Sequence, residues 1–182
     1  AEALYQAGAL RAAADSFAAR AAGESRIAAH WYNLGATLYR AGADGKATAA
    51  WTLATRLAPR DAVIRRARRL LPAPDAASEQ LLAVGWATPA EWALIAGMAW
   101  ALLWVAALGR DRQRRAVVIV GLGAIGVGAT VMGAAEWQRR ARPLAVVVAG
   151  DVPVRAAPYG GASTAATVHA GAALLVGRRY GR

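Results

Sequence analysis

The sequence predicts a chain of three modules: an α-helical repeat solenoid, a two-helix transmembrane hairpin and a C-terminal stretch of short β-strands. Three observations carry this prediction. "LYQAG" at 4–8 returns as "LYRAG" at 38–42, 34 residues further on. Two uncharged apolar runs, 92–109 and 116–135, flank the basic stretch "RDRQRR". Beyond residue 145, β-branched runs alternate with Gly-rich turns.

Composition narrows the chemistry before any element is placed. The 182 residues carry 22 Lys+Arg against 11 Asp+Glu, a formal net charge of +11. All of the positives except Lys46 are arginine, and they fall in scattered clusters beside apolar runs. That distribution fits membrane flanks better than a nucleic-acid footprint, and no nucleic-acid partner is expected. There is no cysteine, which excludes disulfides, thiolate metal ligation and thiol catalysis. His30 and His169 are the two histidines. They are too few for a zinc site or a His-based triad, so no metal, cofactor or catalytic set is expected. The chain opens without Met and stops at "RRYGR". It reads as a fragment whose export signal lies upstream.

The first module spans 1–71. Its second repeat runs Trp31-x-x-Leu34-Gly35-x-x-Leu38, then Gly42, Ala47-x-x-x-Trp51, Ala54 and Pro59. Trp31, Leu34 and Leu38 fall on one helical stripe, and Gly35 lets a facing helix approach. Gly42 ends the first helix, Ala47, Trp51 and Ala54 stripe the second, and Pro59 stops it. The first repeat is partial. A further stretch, 61–71, is expected to cap the array. Val63, Ile64, Ala67, Leu70 and Leu71 face inward there, and Arg65, Arg66, Arg68 and Arg69 face solvent. The pattern resembles the tetratricopeptide repeat, with Leu38 where Tyr is usual and Trp51 where Phe is usual. The resemblance implies a concave face that binds protein segments. Tyr32, Asn33, Ala36, Tyr39 and Arg40 are the partner-binding candidates on that face.

A linker, 72–88, leads to Thr88-Pro89-Ala90-Glu91, the signature of a capped helix start. Residues 89–109 then form the first transmembrane helix. At 1.5 Å per residue they reach roughly 30 Å, enough to cross a bilayer. Residues 110–115 form a basic cytoplasmic loop, 116–136 the second transmembrane helix and 137–144 a juxtamembrane linker. Small-xxx-small sets, Ala93/Gly97/Ala101 on the first helix and Ala124/Gly128 and Ala129/Gly133 on the second, are expected to pack the pair.

The second apolar run also holds Gly121-x-Gly123-x-x-Gly126, the spacing of a dinucleotide-binding turn. An NAD(P)-dependent enzyme is therefore an alternative reading. Three facts oppose it. The helix after the turn would carry several glycines, each costing about 1 kcal/mol relative to Ala. Asp151, the nearest suitable acid, stands 30 residues beyond Gly121 rather than about 20. The chain beyond Asp151 is too short for the rest of a doubly wound sheet.

Arg110, Arg112, Arg114 and Arg115 set the topology. A short basic loop stays in the cytoplasm, which places both flanking modules on the outer side of a bacterial inner membrane. Trp86, Trp92 and Trp137 then mark the outer interface.

Residues 145–182 resemble part of a bacterial SH3 domain, a small β-barrel. Val154-Arg155-x-x-Pro158, a Gly/Ser turn and Val168-His169-x-Gly171 carry that likeness. The order of modules, with "WYNLGATLYRAG", "TPAEWALIAG" and "DVPVRAAP", resembles the BatE-like proteins of bacterial aerotolerance operons. The resemblance implies a non-enzymatic, membrane-anchored envelope scaffold. It implies partners among von Willebrand-type membrane proteins, beside an associated ATPase. The SH3 resemblance implies a peptide or peptidoglycan ligand, and a wall-binding or wall-sensing protein is the alternative function.

Overall fold

The computed structural model describes residues 1–108, 112–157, 159 and 161–177. The protein is mostly helical, with eight helices, two of them long and apolar, and four short strands among the described residues. It divides into two compact units. One joins Ala1–Val84 with the described residues from Pro143 onward, and the other is Gly85–Arg142.

In the first unit, α1 (Glu2–Gln6), α2 (Leu10–Gly23), α3 (Ala28–Arg40), α4 (Asp44–Leu57), α5 (Ala62–Arg68) and α6 (Ala76–Leu82) follow one another, and each from α1 to α4 packs on the next. The 34-residue period seen in the sequence is also geometric. Helices α2 and α4 have 14 residues each and begin one period apart. Helices α3 and α5 begin one period apart as well. The helix ends repeat bond for bond. Ala9 N donates to Leu4 O and Gly8 N to Tyr5 O, and one period on, Ala43 N donates to Leu38 O and Gly42 N to Tyr39 O. These are Schellman caps, which need a left-handed residue after the helix. Gly8 and Gly42 supply it at φ +77° and +72°.

The core between these helices holds Ala14, Phe17, Ala21, Leu34 and Ala50, with Tyr5, Trp31 and Leu38 packed against it. Trp51 is 1% exposed. Its ring abuts Gly35, where an added Cβ would stand 2.5 Å from the indole nitrogen. Thr37, fully buried, satisfies its hydroxyl on Asn33 O at 2.8 Å. The expected capping stretch departs from its pattern. Ile64 and Ala67 are buried, but Val63 and Leu70 are exposed. Helix α5 ends at Arg68, so Leu70 leaves the helical stripe that pointed it inward, and Val63 is exposed within the helix.

The four strands form two separate antiparallel ladders rather than a closed barrel. Strand β1 (Leu144–Val146) pairs with β4 (Ala173–Leu175), and β2 (Val152–Arg155) pairs with β3 (Thr164–Val168). The first ladder lies on helices instead of on a second sheet. Ala173 N donates to the buried Ser78 Oγ at 2.9 Å. Gly45 of α4 leaves space for Val147, whose carbonyl oxygen would stand 2.5 Å from an added Cβ. Helices α4 and α6 therefore take the place of the missing barrel wall. The second ladder is almost wholly exposed. Pro158, one of the SH3-like positions, lies outside the described residues.

The second unit is a helical hairpin of α7 (Pro89–Ala107) and α8 (Arg112–Ala141). The capping box is present: Thr88 N donates to Glu91 Oε2 at 2.8 Å, and Glu91 N to Thr88 Oγ1 at 3.3 Å. Helix α8 is longer than the expected span at both ends. Arg112, Arg114 and Arg115 lie at its start rather than in a loop, and it continues past Glu136 to Ala141. Arg110 lies outside the described residues.

Candidate interaction surfaces

The predicted partner-binding residues of α3 do not form one strip. Tyr32, Asn33 and Ala36 line a hollow of about 200 Å³ shared with Glu2, Tyr5 and Gln6 of α1. Arg40 places its guanidinium 4.5 Å from the centre of the Tyr5 ring, a cation–π contact. Tyr39 turns the other way and packs on Trp51, ring centres 5.5 Å apart. Trp51 also donates its indole N–H to Tyr32 O at 3.2 Å, which ties α4 to α3. Sequence reasoning overlooked the contribution of α1. The signal was present: one period separates Tyr5 from Tyr39 and Gln6 from Arg40, so the two helices present corresponding faces.

The hairpin offers a different surface. Both helices are long and apolar enough to cross a membrane, and only 11% of each apolar window is buried. A core helix of a water-soluble protein would be mostly covered. Here Leu94, Met98, Leu102, Trp104 and Val105 of α7 and Val117, Val120, Ile125, Val127 and Val131 of α8 are all exposed.

The helices meet along a narrow seam of small residues and large ones. Ala96, Ala99, Gly126 and Ala129 are buried in it. An added Cβ would lie 3.1 Å from Trp92 at Gly133, 3.1 Å from Trp100 at Gly126 and 3.7 Å from Leu103 at Gly123. The pairing descends one helix as it climbs the other, as an antiparallel hairpin requires. Ala129 and Gly133 therefore face the seam, as expected. The other small-xxx-small sets do not: Ala93, Ala101 and Ala124 are exposed, and Gly97 and Gly128 face open space. The Trp100 ring fixes the rotation, because it needs Gly126 opposite it, and the Trp92 Cβ lies against Gly133.

The same seam decides the fate of Gly121-x-Gly123-x-x-Gly126. All three glycines lie inside one unbroken helix, with no strand before them and no turn among them. That arrangement lacks the strand and turn on which the dinucleotide reading rests. Such a turn works by presenting backbone N–H groups at a helix N-terminus, and mid-helix those groups are already bonded.

At one end of the hairpin Glu136 is 3% exposed. It accepts from Arg140 Nε at 2.8 Å and pairs with Arg139 at 3.3 Å. Gly85 permits this, since an added Cβ there would lie 2.6 Å from Glu136 Oε2. Trp86 and Trp92 stack edge to face, ring centres 6.3 Å apart, and Trp137 is exposed. At the other end Arg112, Arg114 and Arg115 are exposed.

The remaining polar candidates are sparse. His169 Nδ1 and Asp151 Oδ1 lie 2.6 Å apart, both exposed, and His30 pairs with Glu24 at 2.8 Å. Among the described residues no three His, Asp or Glu side chains gather where a metal ion could sit. No protein family, curated protein or solved structure matches the chain.

Proposed function

We propose that the protein is a two-pass scaffold of the bacterial inner membrane, its helical unit a tetratricopeptide array that holds protein partners on the outer side. The observation that carries the reading is the make-up of the first unit. Residues before the hairpin and residues after it belong to one compact body. That supports an even number of crossings between them. The exposed apolar sides of α7 and α8 support lipid as their solvent, because a water-soluble monomer rarely shows an apolar patch beyond a few hundred Å². The bond-for-bond repeat of the helix caps supports the array. The arginines at the start of α8 support a cytoplasmic turn. The partner-binding face is the hollow formed by Tyr5, Tyr32, Asn33 and Ala36.

The partner class taken from the BatE-like resemblance is a von Willebrand-type membrane protein. Such a protein should co-purify with the parent chain from detergent-solubilised membranes, identified by mass spectrometry. Ala36→Arg fills the hollow and should abolish that capture without changing helix content. Capture by Ala36→Arg equal to that of the parent would remove the hollow as the binding face.

A further inference from the structure

A second cleft, about 430 Å³, lies in the first unit among α4, α5 and α6. Its polar lining is Thr52, Thr55, Arg65, Arg68, Arg69 and Glu79. Pro59, Pro72, Leu82 and Val84 supply apolar wall. The volume falls within the range of small-ligand sites, about 300–1,000 Å³.

The repeat explains how the cleft arises. One period before Arg65, Arg68 and Arg69 stand Trp31, Leu34 and Gly35, the packed stripe of α3. The stretch one period beyond α3 thus carries arginine where α3 carries core.

The charges in the cleft do not cancel. Three arginines face one carboxylate, Glu79. Arg68 is half-buried and donates to Leu71 O. Burial holds its guanidinium below the ordinary value, and the nearby Glu79 charge acts in the opposite sense. Arg65 and Arg69 have no carboxylate within salt-bridge distance among the described residues. Guanidinium forks bind planar or tetrahedral oxyanions through paired N–H donors. A surplus of two positive charges matches a phosphomonoester, which carries about −1.5 to −2 at neutral pH.

We propose that this cleft binds a phosphomonoester, either the headgroup of phosphatidic acid or a free ester such as glycerol 3-phosphate. Both present the same phosphate, and a chain with two apolar helices of spanning length has access to the lipid form. The site is separate from the hollow assigned to protein partners.

The test uses the full chain in nanodiscs. Isothermal titration of glycerol 3-phosphate into protein held in phosphatidylcholine discs reads the free ester. Thermal stability in phosphatidic acid discs, against phosphatidylcholine discs, reads the lipid. Arg65→Gln/Arg69→Gln should weaken either signal by about tenfold or more. Arg11→Gln/Arg20→Gln removes the same charge from exposed positions on α2 and should leave it unchanged. Circular dichroism checks that both variants keep the parent helix content. A signal from either arm that is lost only in the first variant supports the site and names its source. No signal from the parent chain in both arms overturns it. Equal loss in the two variants also overturns it, because the attraction is then unspecific charge.

Discussion

Gly35 lies against the indole of Trp51, and the contact leaves no space for a methyl group. Gly35→Ala should lower the stability of the helical unit by about 1–3 kcal/mol, the usual cost of overpacking a core. Thermal unfolding followed by circular dichroism reads it. A variant as stable as the parent would mean that α3 and α4 slide apart freely. Asp75 works differently. It caps α6 by accepting from Ser78 N at 2.7 Å and from Ser78 Oγ at 2.9 Å. The Ser78 backbone N–H, then its hydroxyl, hold the carboxyl below its ordinary 3.8. A value lowered in the folded state stabilises at pH above the unfolded value and is lost as pH falls through the folded one. Asp75→Ala should therefore be less stable than the parent at neutral pH. The gap should close as pH drops below 3.8, the ordinary value. A gap independent of pH would show that the cap carries no charge-dependent stabilisation.

The hairpin shows how an element selects among similar residues. Gly126 and Gly128 are two positions apart on α8, yet Gly126 receives Trp100 and Gly128 faces open space. Gly126→Leu should force α7 and α8 apart. Gly128→Leu should leave the seam intact and present one more apolar side chain to lipid. Cysteines at Ala96 and Ala129, both buried in the seam and opposite each other in its register, report the difference in this Cys-free chain through disulfide trapping in membranes. Trapping should fall in Gly126→Leu and persist in Gly128→Leu, and equal trapping in the two variants would refute the rotation assigned to α8. The length of α8 has a further consequence. Thirty residues extend roughly 45 Å, beyond the ~30 Å hydrocarbon core. On the two-pass reading proposed above, its terminal arginines reach the headgroup layer at both ends.

For the whole molecule, the proposed two-pass arrangement places both flanks of the hairpin in one compartment. Cysteines at Gln113 and Ser163 test this with a membrane-impermeant thiol reagent. Ser163 should label in cells whose outer membrane is permeabilised, and Gln113 should not. The reverse pattern would place both flanks in the cytoplasm. Labelling of both positions would remove the two-pass arrangement.

The sequence by itself determined the 34-residue helical period, the two apolar helices and the capped start of α7. Each of these rests on interactions within a few residues or on a strict spacing. "LYRAG" carries its own Schellman cap, and Thr88 with Glu91 closes its own box. The tertiary structure decided what depends on a distant partner. Trp100 and Leu103 brought Gly126 and Gly123 of α8 into the seam, so a dinucleotide-like spacing serves helix packing. Helices α4 and α6 received the β1–β4 ladder through Gly45 and Ser78, so the C-terminal strands did not close into a barrel. The arginines of α5 looked solvated in isolation. They line a cleft, Arg68 half-buried and Arg65 and Arg69 exposed, because α4 and α6 supply walls that α5 alone cannot.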